Sequence, residues 1–164
     1  MGNAARAEKT GRSLPRGGPA GAPLSYVAIY KADPLDRIEL VKAGLPAEQA
    51  KQIIADLAMP VGVTFNALHV AISTINRKAK NQELLAQDES ERFVGLAKLI
   101  GQVEAMVEES GDPKGFDAKA WTSRWLQEPL PAFGGARPVD LMDTMEGQAL
   151  VSETLARIQS GAYA

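Results

Sequence analysis

The chain has no cysteine, one histidine, and aromatic side chains at only 5% of its 164 positions. Lack of cysteine removes disulfides, thiolate metal sites and a cysteine nucleophile. With His69 as the sole imidazole, histidine-cluster metal sites are excluded and any nucleophile–base triad would depend on that one ring. A glycine-rich phosphate loop is missing, and so is a carboxylate pair in an obvious pocket. These absences argue against an enzyme, and neither a cofactor nor a metal is expected. Glu104 and Glu108 have helical spacing for a metal but lack further ligands. The apolar runs are too short to cross a bilayer, and the basic N-terminus carries no apolar segment of a secretory signal. A soluble, cytoplasmic protein is therefore expected, with no membrane partner.

What is present suits one compact domain, or two small ones sharing a core. Apolar residues make up 45%, an ordinary value for a folded globule. The net charge of −2 hides a segregated distribution. Residues 1–22 carry Arg6, Lys9, Arg12 and Arg16 against Glu8 alone, and residues 57–82 hold Arg77, Lys78 and Lys80 with no acid. Residues 83–110 reverse the sign, with Glu83, Asp88, Glu89, Glu91, Glu104, Glu108 and Glu109 against Arg92 and Lys98. A nearly neutral total with a local basic patch fits nucleic-acid binding by one face.

Residues 1–23 are rich in Gly, Pro, Ala and Arg and read as a disordered leader. Leu24 to Lys31 is apolar and β-prone, and reads as a short extended arm packed on helices. From Asp33 the pattern turns helical. Asp33 caps and Pro34 starts a helix carrying Leu35, Ile38 and Val41, which Gly44 ends. Pro46 starts a second, with Ala50, Ile53, Ile54 and Leu57 inward, and Met59-Pro60 closes it. Val61 to Lys80 fits two short helices linked tightly near His69-Val70-Ala71, with Phe65, Leu68, Val70 and Ile75 as internal contacts. This is the construction of a helix-turn-helix. Its second helix would present Ser73, Thr74, Asn76, Arg77, Lys78 and Lys80. Arg77 suits guanine and Asn76 adenine, while Thr74, Lys78 and Lys80 suit phosphates; a merely solvated cationic face is the alternative. Glycine often stands where this link has His69, a residue that still tolerates unusual backbone angles. As a general base or pH switch, His69 lacks an evident partner constellation.

The longest helix is expected within residues 83–110, after a link at Leu84-Leu85-Ala86. Asp88 and Glu91 form a capping-box variant at its start. Phe93, Leu96, Ile100, Val103 and Val107 make an apolar stripe, widened by Val94, Leu99 and Met106. That width suggests burial on two sides, against the core and another subunit. Asp117 caps a further helix bearing Trp121 and Trp125 on one face. Pro129 and Pro131 stop it, Gly134-Gly135 turns the chain, and Pro138 opens a short helix holding Leu141 and Met142. Asp143 and Thr144 compete to cap a last helix that buries Leu150, Val151, Leu155 and Ile158 and ends at Gly161.

The C-terminal order Trp-Leu, Pro, Phe-Gly-Gly, Arg-Pro, Leu-Met, Asp-Thr, Gly, Leu-Val, Leu, Arg-Ile, Gly-x-Tyr-Ala resembles the toxin-binding domain of Xre-type antitoxins, the partners of RES toxins. Residues 72–78 resemble the family's recognition-helix region, and Glu89-Ser90-Glu91-Arg92 resembles a motif that follows it. The resemblance implies an all-α protein: a disordered leader over 1–23, a helix-turn-helix DNA-binding domain over 24–82, and a toxin-binding and oligomerisation domain over 83–164. It implies an antitoxin that occludes the active site of a RES-type, NAD-degrading toxin and binds operator DNA to control its own operon. One short recognition helix contacts too few bases for specificity, so a homodimer within a larger toxin–antitoxin complex is expected. The toxin-facing residues would be Trp125, Leu155, Arg157, Ile158 and the tail Gly161, Ala162, Tyr163 and Ala164. That tail can enter a cleft as a narrow apolar end with a carboxylate, or fold back with Tyr163 in the core. A stand-alone transcriptional regulator is the alternative function.

Overall fold

The computed structural model describes residues 23–161. The leader, apart from Pro23, and Ala162, Tyr163 and Ala164 lie outside the described residues. The fold is all-α.

Leu24 to Lys31 corrects the expected extended arm, because Tyr26–Lys31 is a helix, α1. The Ser25 hydroxyl accepts from the Ala28 amide at its start, and the Arg37 guanidinium donates to the carbonyls of Ile29, Tyr30 and Ala32 at its end. β-Propensity is outweighed by packing: Tyr26 and Ile29, one turn apart, are both buried against the long central helix. Gly101 of that helix permits the approach, because a Cβ there would collide with the Tyr26 carbonyl.

α2 (Pro34–Ala43) is capped by the Asp33 carboxylate, which accepts from the Leu35 amide at 2.9 Å, and ends at Gly44 with φ +97°. No α2 side chain is fully buried, and Leu35 and Ile38 remain 69% and 47% exposed. In α3 (Ala47–Leu57), Ala50, Ile53 and Leu57 point into the core. α4 (Val61–Leu68) and α5 (Ile72–Lys80) follow, joined by His69 in the left-handed region at φ 51°, then Val70 and Ala71. Phe65, Leu68, Val70 and Ile75 are all buried beneath that link. The chain then doubles back: Ala47 donates to the Glu83 carbonyl (3.1 Å) and Leu85 to the Leu45 carbonyl (2.8 Å).

α6 (Gln87–Glu109) is the axis of the fold. Its cap differs from expectation. Asp88 lies inside the first turn, and Glu89 reaches back to accept from the Ala86 amide at 3.0 Å. The wide apolar face of α6 is covered by the chain's own α1, α2 and α3 and by the two helices that follow.

α7 (Ala118–Leu126) is capped by Asp117, which accepts from the Ala120 amide. Two 3-10 turns, Pro131–Phe133 and Pro138–Leu141, are separated by Gly134 and Gly135, both at positive φ. α8 (Met145–Gln159) resolves the competition between caps, because the Thr144 hydroxyl accepts from the Gly147 amide at 3.0 Å. Gly161 follows its end at φ 74°. The expected inward face of α8 is half right. Val151 and Leu155 are buried, whereas Leu150 and Ile158 are 41% and 38% exposed. The core is continuous across both halves, joining Ile53, Leu68 and Ile75 to Phe93, Ile100, Leu126, Met142 and Leu155.

Candidate interaction surfaces

The outward face of α5 presents Ser73, Asn76, Arg77 and Lys80 to solvent, with Thr74 half-buried at its margin. Lys78 behaves differently. Its ammonium lies 2.9 Å from the Glu89 carboxylate, in a pair that is largely covered. The pair ties the last turn of α5 to the start of α6, so Lys78 supports the face that its neighbours form. Among the described residues Arg77 makes a loose, exposed contact with Glu83 at 3.9 Å, the kind of pair that contributes little and is easily exchanged.

The Glu89-Ser90-Glu91-Arg92 segment has a structural role that its sequence did not reveal. Ser90 is fully buried; its hydroxyl accepts from the Leu45 amide (2.9 Å) and donates to the Leu85 carbonyl. Arg92 donates from NH1 to the Leu68 carbonyl at 3.2 Å and from Nε to the Asp143 carbonyl at 3.3 Å. His69, expected to lack partners, has its Nε2 3.4 Å from the Asp143 carboxylate. These acceptors are mostly main-chain carbonyls, which no sequence motif announces.

On α7, Trp121 and Trp125 stack with ring centroids 5.9 Å apart and 12° between planes. Trp125 and Leu155, expected to face a toxin, belong to the interior. Arg157 and Ile158 are exposed, with Arg157 3.8 Å from Glu153. Leu150 lies two turns before Ile158 along α8 and adds a second exposed apolar group that the sequence placed in the core. Gly161 ends the described surface, and the tail beyond it lies outside. α8 is held against α6 by a reciprocal pair: Gln102 donates to the Ser152 carbonyl (3.0 Å), and the Ser152 hydroxyl donates to the Gln102 side-chain oxygen (2.7 Å). Before it, Arg137 grips Asp140 with two hydrogen bonds of 2.9 Å, which hold the Asp140 carboxyl below its ordinary range.

The acids around Glu104 serve the fold. Burial raises the Glu104 carboxyl, an effect partly offset by Lys119. Glu108 pairs with Lys31 at 3.6 Å. Among the described residues, no group of three or more potential ligands gathers in metal-binding geometry. Among them, too, no helix is long and apolar enough to cross a membrane.

Residues 104–161, from the last turns of α6 to just past the end of α8, match the family described as the antitoxin Xre/MbcA/ParS C-terminal toxin-binding domain. The chain is 54% identical over 142 residues to a Sphingobium sp. (strain YBL2) protein named "Prs ADP-ribosylating antitoxin", covering 87% of this chain and 89% of that one. It is 28% identical over 92 residues to an Antitoxin Xre of Pseudomonas putida, covering 56% of this chain and 52% of that protein. An Antitoxin Xre of Yersinia enterocolitica is 23% identical over 126 residues, covering 77% of this chain and 80% of that protein.

Proposed function

The chain belongs to the Xre-type antitoxins, and from that premise we propose that it silences a RES-type, NAD-consuming toxin and reads the operator of its own operon. The family and the relatives are antitoxins, not enzymes. The chain is thus an antitoxin of a toxin–antitoxin system, with a toxin as partner.

The observation that carries the toxin-binding half is the family match over residues 104–161. On this stretch the structure exposes Leu150, Arg157 and Ile158, leading to Gly161. We read these with Ala162, Tyr163 and Ala164 as the surface that enters the toxin cleft, with Trp125 and Leu155 as its support. Apolar groups flanking one cation suit a patch that is desolvated on binding. A terminal carboxylate suits cationic donors in a site made for an anionic dinucleotide.

NAD consumption has support in the Sphingobium protein's name, which refers to ADP-ribosylation of Prs. ADP-ribose transfer draws on NAD as donor, so transfer to a protein and hydrolysis to water share the same first bond cleavage. The reading here is a toxin that attacks that bond, in the cytoplasm where NAD is used.

For the operator, residues 24–82 form the reading half and residues 83–164 the toxin-binding and oligomerising half. Ser73, Thr74, Asn76, Arg77 and Lys80 would meet the major groove and its phosphates, with Lys78 fixing the helix from behind. One short helix reads few bases, so a homodimer on a symmetric operator is the expected form.

Co-expression of the neighbouring toxin gene with this chain tests the proposal. Growth should stop with the toxin alone and resume with the antitoxin, with NAD depletion or ADP-ribosylated Prs appearing only in the first case. Toxicity that persists with the antitoxin present, or toxicity without any NAD-derived product, would refute the corresponding half.

A further inference from the structure

Neither surface described above makes use of the groove between α2, α6 and the start of α8. It encloses about 390 Å³, within the range of small-molecule sites. Ile38, Val41, Val94 and Met145 give it an apolar lining. Ile38 and Met145 remain 47% and 67% exposed, so that lining is open to water. A smaller slot of about 200 Å³ lies between α6 and α8 and shares Gly95, Lys98, Met145 and Gln148 with the groove. Its lining includes the buried Leu99 and Met142, together with Gln102 and Ser152, which bond to each other.

Charge is distributed unevenly over this lining. Arg37, Lys42 and Lys98 stand against Glu91 alone among the titratable residues of the two cavities. Lys98 is half-buried where groove and slot meet, and among the described residues no acid pairs with it. Glu91 lies about two helical turns before it on α6. Arg37 is fixed in place, because its guanidinium donates to the carbonyls that end α1. Burial, and then the nearby Arg37, hold the Lys98 ammonium below its ordinary range. A covered cation whose charged neighbour is another cation is disfavoured in the free protein and gains most from an incoming anion.

We propose that groove and slot together bind a small amphiphilic carboxylate, its acid on Lys98 and Arg37 and its alkyl chain beside Met145 in the slot. Shape and charge select this ligand. A helix, about 10 Å across with its side chains, does not fit a slot of about 200 Å³. An inorganic anion would leave the apolar lining wet. An extended alkyl chain covers that lining, and its carboxylate gives Lys98 the charge-assisted hydrogen bond it lacks. The inference stands apart from the toxin and operator readings, and its test uses neither partner.

The test is a calorimetric titration of the full-length chain with hexanoate, octanoate and decanoate, with acetate and octanol as controls. Wild type is compared with Lys98→Met, which keeps the stem and removes the charge, and with Ala149→Leu. Ala149 is exposed and lines the slot, so leucine there fills the slot without entering the core. One carboxylate should bind per chain, about fourfold tighter for each added methylene that is buried, with no binding of acetate. Lys98→Met should weaken octanoate by about tenfold or more, as should replacing the acid with the alcohol. Its urea midpoint should not fall, because the cation removed has no acid partner. Ala149→Leu should abolish the gain with chain length. Octanol equal to octanoate, or Lys98→Met equal to wild type, would overturn the anionic site. A flat chain-length series, or undiminished binding by Ala149→Leu, would overturn the slot. Lack of saturable decanoate binding would overturn both, and so would octanoate binding that disappears at high protein concentration, which would give the groove to a second copy. Unfolding of Lys98→Met would show that the lysine serves the fold and would overturn its assignment to a ligand.

Discussion

The Lys78 ammonium lies 2.9 Å from the Glu89 carboxylate, and each side chain is only 16% exposed. Two residues of one basic helix are thereby given different tasks. Lys78→Ala leaves Glu89 with the Ala86 amide alone and should cost about 1–3 kcal/mol of stability in urea unfolding. Arg77→Ala, on the exposed face, should leave stability within about 0.5 kcal/mol and reduce operator affinity by about 1–3 kcal/mol. A footprint unchanged by Arg77→Ala would remove that residue from the reading surface.

Gly101→Ala separates helix propensity from packing. In an isolated helix the change would stabilise by about 1 kcal/mol. Here the added methyl meets the Tyr26 carbonyl, a backbone atom that moves only with the whole of α1. A net loss of about 1–3 kcal/mol is expected, with amide-exchange protection in Tyr26–Lys31 falling first. A stabilised variant would show that α1 does not pack there.

Tyr26 donates its hydroxyl to the Asp56 carboxylate at 2.5 Å. Burial, reinforced by Asp56, pushes the Tyr26 hydroxyl well above its ordinary value. For Asp56, burial alone would raise the carboxyl, but the Tyr26 hydroxyl and the Lys119 ammonium outweigh it and leave the group below its ordinary 3.8. A depressed folded-state value stabilises above the unfolded-state value, and that contribution fades as pH falls through the folded-state value. Tyr26→Phe should therefore cost about 1 kcal/mol near neutrality, and the gap from wild type should narrow below pH 3.8 as Asp56 is protonated. A gap that stays constant down to pH 2, about two units lower, would show that the bond does not depend on a charged Asp56.

Leu155 and Ile158 sit one turn apart on α8 with opposite surroundings, one in the core and the other exposed. Leu155→Ala should cost about 2–5 kcal/mol of folding stability. Ile158→Gln and Leu150→Gln should change stability by no more than about 0.5 kcal/mol while weakening toxin capture in a titration with purified toxin. Undiminished capture by the double glutamine variant would place the toxin surface elsewhere.

Much of this architecture was legible because its punctuation is local. Asp33, Gly44, Asp117, Pro138 and Gly161 act on amides and angles within a few residues of themselves, so their positions marked the helices they bound. The failures share a different cause. β-Prone residues made Leu24 to Lys31 look extended, because the docking place offered by Gly101 lies 75 residues beyond Tyr26 (101 − 26 = 75). Leu150 and Ile158 continue an apolar stripe, but burial depends on what stands opposite, and here nothing in the described chain covers them fully. Asp88 had the look of a cap, yet the chain enters α6 two residues earlier, at Ala86, and Glu89 reaches back to the Ala86 amide. The Arg92 junction was illegible altogether, because its partners are chiefly carbonyls, which every residue carries.

The most direct measurement is NAD turnover by the purified toxin against increasing amounts of this chain, full-length or lacking Gly161 to Ala164. Full-length antitoxin should abolish turnover at stoichiometric amounts, and the truncated form, folded to the same extent, should bind more weakly and leave activity behind. Equal inhibition by both forms would contradict insertion of the tail, and a toxin that consumes no NAD with the antitoxin absent would contradict the account of what is being silenced.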